Sequence, residues 1–337
     1  MARVPVISKD GKPLMPTKPS RARRWIKEGK AIGKFNDLDI FYVQLTDEPS
    51  DNKTQPIAIG IDPGKLFSGI GVQSSLFTLW KTHLELPFNL RAHRQKRFSN
   101  RKQGKLDPSI KANRQLELRV VSELTKIYPI TDIYFEYIKA DVDLTSGRKG
   151  AKSGKGFSSV MVGQKWTIEQ LSKLATVHTR FGWQTSNLRK HLRLEKSKNK
   201  AEQSPESHAN DGIALACFQF LDYLPFHTSN GHGYDWKGYV KVTNAPFAVI
   251  KRPPISRRQL HLMVFSKGGK RRKYGGSTTR HGFRKGDLVS SPKGIGYVSG
   301  DTEKKLSVSD TNGQRLGQIA VSKIQLIRRS NGLIVSR

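Results

Sequence analysis

Three short stretches, far apart in the chain, carry residues that could do chemistry together: Ile57–Gly64 (IAIGIDPG), Ile133–Tyr137 (IYFEY) and His208–Ala214 (HANDGIA). The first reads as an apolar strand ending in an acid, and the second as an apolar strand with one acid inside it. The third opens an apolar helix with a His and an Asp three residues apart. Asp62, Glu136, His208 and Asp211 thus form a set spread over strand, strand and helix. Hydrolysis of a phosphodiester by two divalent ions about 3.5–4 Å apart needs such a set, one ion activating water and the other stabilising the leaving oxygen. Mg²⁺ takes hard oxygen ligands, so carboxylates from different elements must converge on one spot.

Each piece has a plainer reading when taken alone. Asp62 is followed by Pro63–Gly64, and Asp-Pro-Gly by itself is usually a turn. No glycine spacing or following helix makes it a phosphate loop. Glu136 sits between Phe135 and Tyr137, where an unpaired carboxylate is costly to bury, so it needs a lysine or a metal. His208 and Asp211 project from one face of a helix near its start, where Asp211 could simply favour the helix dipole. Asp222 falls on the same angular face but too far along the predicted helix to share an ion. The remaining histidines, His83, His178 and His191 among them, lack ligand spacing and read as solvated or facing nucleic acid. The argument rests on the order and placement of the four residues together.

Composition points to a polyanionic partner. Lys and Arg total 60 against 27 Asp and Glu, a formal charge of +33, and the pI is about 10.4. Phosphate contacts release counterions and dominate the affinity of such chains. No basic amphipathic helix suits a membrane surface, and no apolar run approaches the roughly 20 residues of a membrane span. The N-terminus lacks the apolar core of a signal peptide, so a cytoplasmic, nucleoid-associated protein is expected. The single cysteine, Cys217, is expected to be a buried thiol and argues against a cysteine-rich zinc site.

The elements that must position these residues follow from periodicity and turn signals. Residues 1–55 read as a small α+β unit, with strands at Val4–Ile7 and Ile40–Leu45 and a basic helix at Ser20–Gly29 bearing Arg21, Arg23 and Arg24. Strands at Ser68–Gln73 and Phe77–Leu86 follow the one that bears Asp62. A basic segment over 89–115 includes Arg91, Arg94, Arg97 and Arg101, and its end merges into a helix with Leu116, Val120, Leu124 and Ile127 on one face. Past the strand of Glu136, helices are expected at Trp166–Val177 and Pro205–Leu221, with a short strand at Trp183–Ser186 between them. From 225 to 337 short β-rich runs alternate with turns, suggesting a small barrel. This region holds the densest basic loop, Lys267–Lys285, with Lys270, Arg271, Arg272, Arg280 and Arg284 among glycines. Its Tyr274, His281 and Phe283 are suited to stack on bases.

The segments around Asp62, Glu136 and His208/Asp211 resemble the three split motifs of a RuvC-type nuclease, a variant of the RNase H fold. The N-terminal KPLMP followed by RARRWIKEGKA resembles the small domain that opens IscB and IsrB, RNA-guided nucleases of bacterial insertion sequences related to the ancestors of CRISPR effectors. The stretch from Glu136 to His208 holds His178 and His191, no cysteine and no HNH pattern, which points to the HNH-lacking IsrB family. The resemblance implies an RNase H-like mixed sheet split over 56–88 and 116–224, between the N-terminal domain (1–55) and a C-terminal domain (225–337). It implies an omega RNA as guide, a double-stranded DNA target with a short flanking motif, a monomeric ribonucleoprotein, and nicking of the displaced strand. Two Mg²⁺ ions, or Mn²⁺, would be bridged by Asp62, with Glu136 and Asp211 completing one each and His208 orienting or deprotonating water. Where such proteins carry a long arginine-rich bridge helix, LELP at Leu84–Pro87 runs directly into FNLRAHRQKR and leaves the bridge short. Two alternatives remain: a guide-independent nuclease of junctions or flaps, and a non-catalytic basic RNA-binding protein.

Overall fold

Ile57–Pro63 is apolar at nearly every position, a pattern that suits a strand covered on both faces. In the computed structural model, which describes residues 3–88, 105–139, 159–197, 204–228, 231–254 and 277–337, that strand lies inside a mixed sheet. The chain forms two compact units, Met1–Val249 with Arg337, and Ile250–Ser336. The fold is mixed α/β with several separate sheets.

The first unit opens with β1 (Val4–Ile7), β2 (Pro13–Thr17), α1 (Pro19–Lys27), β3 (Ala31–Phe35) and β4 (Phe41–Leu45). These build a four-stranded sheet in the order β2-β1-β4-β3. The PLMP residues are the second strand, an element the sequence did not suggest. Pro19 begins the helix, where a missing N–H costs nothing, and Ala22 buries against Val6, Leu14, Ala31 and Val43.

The main sheet takes β5 (Ile57–Pro63), β6 (Phe67–Ser74), β7 (Thr78–Glu85), β8 (Asp132–Tyr137), β9 (Thr176–Phe181) and β12 (Phe247–Lys251). Its strands run in the order β12-β7-β6-β5-β8-β9. β5, β6 and β7 are antiparallel neighbours, while β8 and β9 continue the sheet parallel to β5. Helices α2 (Pro108–Thr125), α3 (Ser159–Leu171), α4 (Gly182–His191) and α5 (Pro205–Cys217) complete the unit, with a separate hairpin of β10 (Leu221–Thr228) and β11 (Gly231–Gly238).

Several expectations fail for identifiable reasons. Helix α3 stops at Leu171, and the β-branched and aromatic TVHTRF that follows becomes β9 by pairing with β8. Trp183–Ser186 is therefore helix, not strand. Helix α5 ends at Cys217, and Asp222 lies on β10, paired opposite Lys237, rather than on the helix. Residues 225–249 group with the first unit. Cys217 is fully buried, and that burial raises its thiol pKa.

The second unit contains β13 (Leu288–Ser291), β14 (Gly294–Asp301), β15 (Lys305–Ser309), β16 (Arg315–Ala320) and β17 (Gln325–Arg328) in a sheet ordered β16-β15-β14-β13-β17. Val289, Val298, Leu306, Val308 and Ile319 form its core, and no closing pair between β16 and β17 is seen among the described residues. No helix among the described residues is long and apolar enough to cross a membrane.

Candidate active site

Asp62 and Glu136 are brought together by the register of two parallel strands. Ile61 of β5 is level with Phe135 of β8, so one residue further along Asp62 lies beside Glu136. Residues alternate across a strand, and Gly60, two before Asp62, faces α5. Asp62 therefore points to the face that α5 covers. Tyr134, two before Glu136, packs with Leu215, Ala216 and Phe218 of the α5 region, which places Glu136 on that face too.

Helix α5 reaches the sheet because glycines clear its path. A Cβ on Gly60 would run into the carbonyl oxygen of Gly212, and one on Gly69 into that of His208. A Cβ on Gly71 would lie 2.6 Å from the Ile213 nitrogen, and one on Gly212 2.8 Å from the Gly71 nitrogen. Backbone thus rests on backbone, and His208 and Asp211 in the first turns of α5 arrive at the ends of β5 and β6. The helix starts cleanly there, with Ser204 as N-cap accepting from the Ser207 N–H and Pro205 in the first turn.

The four residues occupy different electrostatic states. Burial first, and then the charges of Glu136 and Asp211, push the Asp62 carboxyl well above the usual carboxylate range, against an opposing pull from Lys196. Glu136 is likewise raised by burial, opposed by a hydrogen bond from Thr185. Asp211, only 2% exposed, is held by two cations: Arg189 Nη1 donates to Oδ1 and Lys196 Nζ to Oδ2, each at 2.5 Å. His208 packs in a cluster of three rings, 5.0 Å from His83 and 5.7 Å from Phe67, with its Nδ1 buried and unpartnered. Burial lowers its pKa, so the imidazole is neutral at physiological pH.

The donor chemistry fits a divalent cation at Asp62 and Glu136, where two neighbouring like charges raise the cost of ionisation. Asp211 is different, since both of its oxygens are already paired. Among the described residues no three His, Cys, Asp or Glu side chains are gathered tightly enough to cage an ion. Lys196 supplies the positive charge shared by this cluster, being felt by Asp62, Glu136 and His208 as well as bonded to Asp211.

A second polar cluster braces the Asp62 turn from the opposite face of the sheet, and sequence reasoning missed it. Arg114 reads there as one more cation in a basic run. It is instead buried, with Nη1 2.5 and 2.7 Å from the two oxygens of Glu117 and Nη2 donating to the Gly64 carbonyl at 2.7 Å. Ser68 Oγ donates to Glu117 at 2.5 Å and accepts from the Gly64 N–H at 3.2 Å. Their i,i+3 spacing on a helix was the available signal. Arg114→Met is expected to cost about 3–5 kcal/mol, because it leaves the Glu117 charge buried without its ion-pair partner. The double variant Arg114→Met/Glu117→Met should cost much less, and urea titration of the two compares them directly.

Other expectations meet mixed outcomes. His83 is 1% exposed, with a pKa lowered to about 4 by burial and by His208, so it is not solvated. His178 bonds Asp132 at 2.7 Å and stacks on Tyr134. Arg21, Arg23 and Arg24 are exposed on α1, with Arg24 3.8 Å from Glu28. In the C-terminal loop Arg280 and Arg284 are exposed, but Arg280 lies 3.4 Å from Asp301. Phe283 packs on the Val289 core, so its ring is not free to stack on a base, while His281 bonds the Thr302 carbonyl through its ring edge. Arg91, Arg94, Arg97, Arg101, Lys270, Arg271, Arg272 and Tyr274 lie outside the described residues.

A family model described as RRXRR protein matches residues 4–93 and 88–156. No curated protein matches the chain. Two solved structures align: RuvC of T. thermophilus in complex with a Holliday junction substrate, and Thermus thermophilus RuvC. Each is 13% identical and covers 48% of this chain and 90% of its own, with TM-scores of 0.29 and 0.27. At such scores neither likeness carries weight for the assignment.

Proposed function

We infer that the protein is an RNA-guided DNA nickase of the IsrB type, with an RNase H-like sheet and a RuvC-type site. The observation that carries the reading is the pairing of Asp62 with Glu136 on adjacent strand ends under the helix of His208 and Asp211, in a chain of charge +33. The order β7-β6-β5-β8-β9, antiparallel then parallel, is the arrangement an RNase H-like sheet requires. The RRXRR match, a family found in IscB- and IsrB-type proteins, supports the same reading.

In this reading Asp62 and Glu136 would hold Mg²⁺, which would polarise the phosphate and acidify bound water. Thr185 orients the Glu136 carboxylate, and the Arg114–Glu117–Ser68 cluster keeps the Asp62 turn in place. His208, steadied against Phe67 and His83, can take a proton from the attacking water. Asp211 holds Arg189 and Lys196 beside the carboxylates, where they can meet the charge of a phosphate. Base pairing with an omega RNA would choose the target, and the protein would read a short flanking motif.

The test is purification from cells that express the chromosomal neighbourhood of the gene, followed by incubation with Mg²⁺ and a matched supercoiled plasmid. One abundant structured RNA should co-purify, and the plasmid should be nicked in one strand, with the activity lost on RNase treatment. Nicking that survives RNase assigns a guide-independent junction or flap nuclease. RNA binding without any cleavage leaves a non-catalytic RNA-binding protein.

A further inference from the structure

Beside the carboxylates the chain displays aromatic rings that the core does not use. Gly182 abuts Glu136 so closely that a Cβ there would lie 3.2 Å from Oε1. The next residue, Trp183, is 53% exposed. Its ring meets Tyr223 of β10 edge to face at 5.8 Å, and Tyr223 stacks at 5.3 Å on Tyr234 of β11, which is 44% exposed. Trp236, directly across the hairpin from Tyr223, closes the group from beneath at 5.2 Å.

Cross-strand packing explains part of this group. Tyr223 and Trp236 stabilise a hairpin that belongs to no larger sheet, and Trp236 continues into Phe218. It does not explain why Trp183 and Tyr234 offer large ring faces to solvent. Exposed aromatic rings at a basic, phosphodiester-cleaving site have a direct chemical use, because every base has a π face and stacking tolerates any sequence. The Arg189 and Lys196 cations at the carboxylates provide the charge for the backbone of the same strand.

We propose that Trp183 and Tyr234, backed by Tyr223, form a stacking ladder that takes unpaired bases of single-stranded DNA and leads the strand to Asp62 and Glu136. The proposal rests on the nuclease reading for the direction of the strand. Its binding chemistry stands apart from cleavage, so the two can fail separately. The ladder selects strand state rather than sequence: a base still in a duplex presents no free face to Trp183.

The experiment measures binding of a single-stranded DNA oligonucleotide containing 2-aminopurine to the full chain without divalent cation, so that no cleavage occurs. Stacking on the ladder should quench the probe, and Trp183→Ala/Tyr234→Ala should remove the quenching and weaken binding about tenfold or more per ring. The slope of affinity against salt should stay unchanged, because no phosphate contact is removed. Trp183→Phe/Tyr234→Phe, which keeps both faces, should restore quenching. Undiminished quenching in the alanine variant overturns the proposal, as does failure of the phenylalanine variant to restore it. Equal or stronger quenching with the matching RNA oligonucleotide also overturns the assignment to DNA. Wild-type protein that quenches the probe but, with its co-purified RNA and Mg²⁺, nicks no matched plasmid would sink the nuclease reading and leave the ladder in place.

Discussion

Asp62→Asn is expected to lower Mg²⁺-dependent nicking by several orders of magnitude and at the same time to raise the stability of the metal-free protein. Loss of activity follows because the amide carries no charge with which to hold a hard cation. The gain in stability follows from the surroundings of Asp62, whose ionised form is opposed by burial and by the charges of Glu136 and Asp211. A carboxyl with a raised folded-state pKa binds more protons folded than unfolded, so its ionisation erodes stability as pH rises from the unfolded value of about 3.9. The stabilisation from Asp62→Asn should therefore be full above the raised pKa and vanish as pH falls toward 4. Each kcal/mol should appear as a Tm rise of about 2–4 °C in a chain of this size. Thermal melts of both proteins in EDTA across that pH range test it, and a lower Tm for the variant at neutral pH would contradict the charge assignment.

Gly60→Ala is expected to be nearly as damaging, although it removes no chemical group from the site. The new methyl would lie 2.0 Å from the Gly212 carbonyl oxygen, and the Ala216 nitrogen at 2.4 Å leaves no room to turn aside. Overpacking against backbone has no rotamer to relax into, so a cost of about 3 kcal/mol or more is expected. Helix α5 would have to lift from β5 and β6, carrying His208 and Asp211 away from Asp62. Urea titration and nicking should therefore fail together in this variant. A substitution at Gly11, with φ of 82° and open space around it, provides the contrast. Gly11→Asn should cost little, since Asn tolerates that backbone and meets no atom there.

The contrast between these two residues shows where the sequence was legible. The apolar run ending in Asp62 and the IYFEY strand around Glu136 identify themselves, because burial on both faces leaves a continuous hydrophobic signal that an acid interrupts. Ser204–Pro205 marks the start of α5, since capping chemistry is local. The basic composition is equally plain, and so are the paired strands at Phe67–Ser74 and Thr78–Glu85.

What only the tertiary structure decided is how each charge is spent. Arg114 and Lys111 look alike in a basic run, yet Arg114 is buried on Glu117, while the half-exposed Lys196 supplies the charge that Asp211 and its neighbours share. TVHTRF became a strand only because β8 was there to pair with it. Sequence by itself determines propensity, periodicity and the kinds of chemistry on hand, all of which act over a few residues. The pairing of a buried charge, and the close approach that Gly60, Gly69 and Gly71 allow, depend on atoms far away in the chain. Desolvation and packing energies belong to those encounters, so they appear only when the chain has folded.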